Sequence, residues 1–229
     1  MTRNNNAVII TAAGSSSRMG SGVKKEYRTL EVRSVLSRSL LKFYRTDKFS
    51  HFVITLPRGH SAKAVKMLES DLAGMETGPL LESILFTEGG GTRQISVLNG
   101  LRALAEYAPE LVLVHDGARP WVPEKVILDV LAAAEEHGAC VPVIPAKDAV
   151  KELDASGFVR RHIEKALCAR AQTPQGFIFR DILRAHEEAS AGGEVLYSDD
   201  AEVYSVYIGR VFSVEGSQTN KKITWPGDI

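Results

Sequence analysis

Residues 7–144 alternate between short apolar runs and amphipathic ones, and few architectures accept that order. Ala7–Thr11, Phe52–Leu56, Ile84–Phe86, Leu111–His115 and Ala139–Ile144 read as strands, rich in Val, Ile and Leu and bounded by turn residues. Between them, Ser34–Tyr44, Ser61–Leu72, Thr92–Tyr107 and the segment after Pro123 carry apolar residues at helical spacing. Their expected inward faces are Val35, Leu36, Leu40 and Phe43; Val65, Leu68 and Leu72; Ile95, Leu98, Leu101 and Leu104; and Val126, Ile127, Val130 and Ala134. Strands and helices in alternation imply an α/β fold: three layers, with a mostly parallel sheet covered on both faces. Such sheets take ligands at the carboxyl ends of their strands. The chain has 229 residues, 44% of them hydrophobic, with no repeat or linker, so one domain over 1–229 is expected.

Three polar loops follow three of these strands and should open on one edge of the sheet. The first is Ala12-Ala13-Gly14-Ser15-Ser16-Ser17-Arg18-Met19-Gly20, followed by Lys24-Lys25-Glu26-Tyr27. Small residues there let a phosphate chain approach the backbone, and the cations beside it neutralise charge. It is neither a P-loop nor a dinucleotide fingerprint. The residues alone leave a phosphate site and an ordinary turn equally open, and Lys24 reads as a solvated cation. The second loop, Gly89-Gly90-Gly91-Thr92-Arg93-Gln94-Ile95-Ser96, is a Gly-rich turn into a helix, with Ser96 in the first turn. The third, His115-Asp116-Gly117-Ala118-Arg119-Pro120, ends a buried strand on a carboxylate. A buried carboxylate needs a cation or a metal. Arg119 serves either as its ion-pair partner or as a holder of anionic substrate. His115 lacks a second His at ligand spacing and reads as structural.

The region from Lys147 to about Arg170 interrupts the alternation. Asp148–Glu152 and Phe158–Ile163 flank Asp154-Ala155-Ser156-Gly157, a hairpin turn. This arm, about 146–170, either folds back on its own domain or pairs with a second copy. The formal net charge is zero, which argues against general nucleic-acid or membrane-surface binding. No apolar run approaches the ~20 residues of a membrane span, and the N-terminus has no signal-peptide pattern. The two cysteines, Cys140 and Cys168, form no CxxC pair, so the cytoplasm is the expected compartment.

Taken in order, these segments resemble the 2-C-methyl-D-erythritol 4-phosphate cytidylyltransferase family. The resemblance rests on the three loops and on Asp148…Lys151, Gln172-Thr173-Pro174-Gln175-Gly176-Phe177, Ser198-Asp199-Asp200-Ala201 and Val214-Glu215-Gly216…Asn220…Lys222-Ile223-Thr224. It implies a Rossmann-like nucleotidyltransferase fold with a projecting β-hairpin arm. It also implies a reaction in which the phosphate of methylerythritol 4-phosphate attacks the α-phosphorus of CTP and diphosphate leaves. The nucleophile is already anionic, so no general base is needed. By the same resemblance, Arg18 and Lys25 stabilise the transition state and Lys222 grips phosphate. Ala12, Ala13, Gly14, Gly90, Ser96 and Gly117 line the nucleotide site. Asp116 holds Mg²⁺ and contacts substrate, while Arg119, Lys165, Thr173, Ser198 and Thr224 lie toward the sugar phosphate. The family is homodimeric through the arm, so Lys165 and Thr173 would serve the neighbouring subunit.

Several positions depart from the family pattern. Lys165 stands where an Arg is usual, keeping the charge but losing the bidentate fork, unless Arg161 takes that place. Ala149 replaces a usual Thr, Lys24 a usual Pro, and the family's C-terminal helix would lie beyond Ile229. A cytidylyltransferase for a pentitol phosphate such as ribitol 5-phosphate is the first alternative. A UTP-using sugar-phosphate nucleotidyltransferase and a non-catalytic nucleotide-binding module follow it.

Overall fold

The computed structural model describes residues 5–16, 19–20, 24–75, 77–193 and 196–228. The chain opens with strand β1 (Asn6–Thr11), buried on both faces. A small hairpin, β2 (Thr29–Leu30) and β3 (Arg33–Ser34), leads into helix α1 (Val35–Tyr44). Ser34 caps that helix by accepting from the Ser37 amide, and Asp71 anchors the same turn through the Ser34 amide. Then come β4 (His51–Leu56), α2 (Ser61–Leu72), the short α3 (Gly78–Glu82) and β5 (Ile84–Glu88). Helix α4 (Arg93–Ala103), β6 (Leu111–Asp116), α5 (Glu124–His137) and β7 (Ala139–Pro145) complete the alternation. The arm is β8 (Val150–Leu153) and β9 (Val159–Ile163), which pair with each other and not with the main sheet. The chain returns through β10 (Ala169–Ala171), β11 (Gln175–Ile178), α6 (Phe179–Ala191), α7 (Asp200–Tyr207) and β12 (Phe212–Glu215).

The main sheet has eight strands in the order β10-β7-β11-β6-β1-β4-β5, with β12 also on β7. Six strands run one way; β10 and β11 run against them. Alternate residues of β1 enter opposite layers, as the period of a strand requires. Val8 and Ile10 pack with Leu36, Leu40 and Phe43 of α1 and Val126, Ile127 and Val130 of α5. Ala7 and Ile9 pack with Val97 and Leu101 of α4 and Ile182 and Ala185 of α6. The sheet is thus covered on both faces, and the expected α/β fold with its mostly parallel sheet is present.

Four details differ from the sequence reading. Strand β11 is inserted antiparallel between β6 and β7, where alternation alone would make them neighbours. The third of the expected helices ends at Ala103, and Leu104–Tyr107 continue it only as turns. Val97 and Gly100 join the expected Leu98, Leu101 and Leu104 on the inward face, while Ile95 is 41% exposed at the mouth of the Gly-rich turn. In α2, Ala64 takes the buried position and Val65 is half-buried, because the helix sits rotated toward its smaller residue.

Candidate active site

Thr11 and Asp116 are paired neighbours at the carboxyl ends of β1 and β6, with Leu56 and Glu88 ending β4 and β5 on the same side. The three polar loops therefore do open on one edge. Between them lies a cleft of about 490 Å³, lined by Ala13–Ser16, Lys25, Gly90–Arg93, Ser96, Asp116, Lys222 and Thr224. Its size and its mixture of small, hydroxyl and charged residues suit a small polar ligand.

The two small-residue loops are pressed together. A Cβ on Gly89 would stand 2.2 Å from the Ala13 Cβ and 2.8 Å from Ser96 Oγ, so only glycine fits there. Ser96 is buried and ties the second loop to its helix. Its Oγ donates to the Thr92 carbonyl and accepts from the Gly90 amide at 3.1 Å. Thr92 caps α4 by accepting from the Ile95 amide, an interaction of about 1 kcal/mol. Ala12 is fully buried and donates its amide to the Thr55 carbonyl, and Gly117 donates to the Thr11 carbonyl at 3.0 Å. Gly14 and Gly90 are open to the cleft side.

Asp116 forms the floor, with 6% exposure. Its carboxylate meets three cations: Lys222 Nζ at 2.9 Å, Arg119 Nε at 3.2 Å and Arg93 Nε at 3.6 Å. Burial alone would raise its pKa, but Lys222, Arg93 and Arg119 outweigh it and hold the carboxyl well below the usual range. Removing one partner of such a buried pair typically costs ~3–5 kcal/mol. Arg119 also donates to the Asn220 carbonyl at 2.8 Å, so in the chain by itself it pairs with Asp116. Arg93 reaches past Asp116 to Asp200 at 2.8 Å. Burial would lower the Arg93 pKa, yet Asp200 and Asp116 raise it above its ordinary value. Asp200 is held down in turn, against burial, by Arg93 and His186.

Behind the floor, the Thr173 hydroxyl accepts from the Asp116 amide at 3.0 Å and lies 3.1 Å from His115 Nδ1. Thr173 is thus buried and engaged beside Asp116 within its own chain. His115 is fully buried, and burial lowers its pKa to about 3, so it is neutral and structural as expected. Asn220 and Gln172 fasten the last loop: Asn220 donates to the Thr173 carbonyl at 2.8 Å, and Gln172 donates to the Ser217 carbonyl at 2.8 Å.

The first loop's cations divide differently from expectation. Arg18 lies outside the described residues, with Ser17. Lys25 lines the cleft and donates to the Ile223 carbonyl at 3.0 Å. Lys24 is not left in solvent; it is half-buried and its ammonium donates to the Gly14 carbonyl at 2.5 Å. Burial lowers its pKa, partly opposed by Glu26. Glu26 is itself buried, which raises its pKa, and it accepts from Ser16 Oγ. These contacts clamp the loop from below, which a solvated lysine cannot do.

Lys222 and Thr224 line the cleft; Ser198 and Lys165 do not. Ser198 is exposed and donates to Glu202. Lys165 sits on a short turn after the arm and donates to the Lys147 carbonyl. Arg161 pairs with Glu152 inside the arm. The sequence reading gave no role to Arg93, Asp200 or His186. Asp200 was signalled only by two acidic residues before an apolar run, of which Asp199 proves to be the helix cap.

Among the described residues, no group of three or more His, Cys, Asp or Glu could enclose a metal. Asp116 brings its carboxylate to the cleft with Oδ2 met by Lys222 and Arg119 and Oδ1 by Arg93.

A family model described as 2-C-methyl-D-erythritol 4-phosphate cytidylyltransferase matches residues 6–229. Curated relatives include a bifunctional enzyme IspD/IspF of Bradyrhizobium diazoefficiens, 38% identical over 97% of this chain and 54% of its own length. Another, from Nitrobacter hamburgensis, is 38% identical over 100% of this chain and 54% of its own. The chain therefore spans about half the length of these relatives. Among solved structures, the 2-C-methyl-D-erythritol 4-phosphate cytidylyltransferase of Thermus thermophilus superposes with a TM-score of 0.75, at 32% identity over 97% of this chain and 94% of that one. The 4-diphosphocytidyl-2C-methyl-D-erythritol synthase of Anaerococcus prevotii gives 0.83 at 28% identity, covering 98% and 92%.

Proposed function

The chain belongs to the 2-C-methyl-D-erythritol 4-phosphate cytidylyltransferase family, and on that premise we propose that it joins CTP to methylerythritol 4-phosphate for isoprenoid precursor synthesis. The observation that carries this reading is Asp116, set among Lys222, Arg119 and Arg93 at the floor of a cleft walled by two small-residue loops. In the reaction, a phosphate oxygen of the alcohol phosphate forms a bond to the α-phosphorus of CTP. The bond to the bridging oxygen breaks, and diphosphate leaves with that electron pair. Negative charge gathers on the equatorial oxygens, where pre-placed cations act most strongly in a site that excludes water. Lys25 and Lys222 bring two ammonium groups to the cleft, and Arg18 joins them by resemblance to the family. In this reading Ala13, Gly14, Gly90 and Ser96, which line the cleft, face the nucleotide, with Ala12 and Gly117 buried behind them. In this reading Lys222 grips phosphate and Thr224 lies toward the sugar phosphate; both line the cleft.

Asp116 would hold Mg²⁺ together with nucleotide phosphate oxygens. That ion, when bound, supplies neutralising charge to the triphosphate. The chain acts as a homodimer in this reading. The arm exposes Leu153, Phe158, Val159 and Leu167, with Phe158 74% and Leu167 81% open, an apolar face that favours cover by a second copy. The paired arm would carry Lys165 toward the neighbouring cleft; Ser198 has no support at the cleft in a single chain. The cytoplasm is the compartment in this reading, in keeping with the free thiols Cys140 and Cys168. No described helix is long and apolar enough to cross a membrane.

Diphosphate release from CTP or UTP with methylerythritol phosphate or ribitol 5-phosphate tests the reading. Turnover is expected with CTP and methylerythritol phosphate. Turnover with ribitol phosphate alone would install the pentitol alternative, which family membership does not favour.

A further inference from the structure

The carboxylate clamp on the cleft floor is one end of a longer buried line of polar groups. Arg93, at the first residue of α4, spans two acids with one guanidinium. Its Nε lies 3.6 Å from Asp116 Oδ1, and its Nη1 lies 2.8 Å from Asp200 Oδ2. The other Asp200 oxygen stands 3.2 Å from Nε2 of His186. Asp200 is 1% exposed, His186 is fully buried, and neither lines the cleft. The reaction derived above uses neither of them. Yet a fully buried carboxylate is costly to keep, and replacing a buried ion pair as a whole by apolar residues of similar volume is often neutral or stabilising, so packing α7 does not by itself call for this one.

The geometry of Arg93 supplies a reason. An arginine side chain has several free torsions and no intrinsic preference for this fork. With Asp200 present, the distal guanidinium nitrogen is fixed at the back of the cleft, and Nε is left facing Asp116. Without it, the same cation is left with Asp116, the charge of Asp199 and the open cleft, and it would compete with Lys222 and Arg119 for the Asp116 carboxylate. We infer that Asp200, braced by His186, is a positioning residue: it acts through Arg93 to set the orientation of Asp116 and to keep the Arg93 charge behind the nucleotide site.

This rests on the cytidylyl-transfer reading, because turnover is its main readout. Six forms of the full chain decide it: wild type, Asp200→Asn, Arg93→Ala, their double variant, His186→Gln and His186→Leu. Each is followed by kcat/KM for diphosphate release, CTP affinity by calorimetry and thermal melting. Asp200→Asn is expected to lower kcat/KM about tenfold, within the range of couplings between contacting residues, and to weaken CTP affinity in the same direction. The double variant should match Arg93→Ala to within about twofold, since Asp200 has nothing left to act through. His186→Gln, which keeps a donor at the Nε2 position, should stay near wild type, while His186→Leu shares the Asp200→Asn loss. Losses that multiply in the double variant overturn the inference, as does an Asp200→Asn enzyme that melts earlier but turns over normally. Should Asp200→Asn fail to fold, the two His186 variants decide by their difference alone. If the wild type releases no diphosphate, the cytidylyl-transfer reading fails instead, and the pattern of CTP affinities still tests the coupling.

Discussion

Lys24 and Lys25 are adjacent, identical in chemistry and put to opposite uses. Lys24 turns its ammonium onto the Gly14 carbonyl and braces the loop, while Lys25 lines the cleft. Replacing Lys25 by Ala is expected to lower kcat by ~10²–10³-fold, the loss seen when one pre-placed electrostatic stabiliser is removed. Steady-state diphosphate release checks it, and unchanged turnover would reject the proposed role of Lys25. At this scale the legible residues were those whose environment is written locally. Asp116 ends a fully buried strand and therefore had to find a cation. Ser96 sits in the first turn of a helix after glycines. Lys24 was not legible, because a lysine's reach of several bonds lets it choose between solvent and a carbonyl ten residues away. Asp200 was not legible either, since its partner Arg93 comes from a distant segment.

Among the elements, the arm is the one whose role a single chain leaves incomplete. Its turn is well made: Asp154 Oδ1 accepts from the Ser156 and Phe158 amides, and Gly157 takes the left-handed conformation at φ +88°. Nothing in the main sheet covers its apolar residues. Phe158→Asp with Leu167→Asp is expected to turn a dimer of twice the 25.0 kDa chain mass into a monomer, read by light scattering. Wild type running as a monomer at assay concentration would contradict the arm's proposed use. The hairpin itself was legible from its turn residues. The antiparallel insertion of β11 was not, because its four residues, Gln175–Ile178, show neither strict alternation nor a long apolar run.

The whole molecule joins a neutral chain to an uneven interior of charge. His115, at about 3, and Asp116, held low by its cations, both bind fewer protons in the fold than in the unfolded chain. The contribution of His115 is complete above its unfolded value of ~6.5 and is lost as pH falls toward 3. That of Asp116 is complete above ~4 and is lost below it. Glu26, raised by burial, works in the other sense near its own titration. Denaturant midpoints are therefore expected to fall from pH 7 to pH 4; a flat profile would contradict a neutral buried His115. The α/β layering, the shared edge for three loops and the hairpin all follow from periodicity and turn chemistry, which act over neighbouring residues and so are written in local order. The insertion of β11, the choice between Lys24 and Lys25, and the buried line from Asp116 through Arg93 to Asp200 and His186 are of another kind. They depend on which segments, from 10 to 198 residues apart, come to share a low-dielectric interior. There each charge must be met by another, and only the packed fold sets which one.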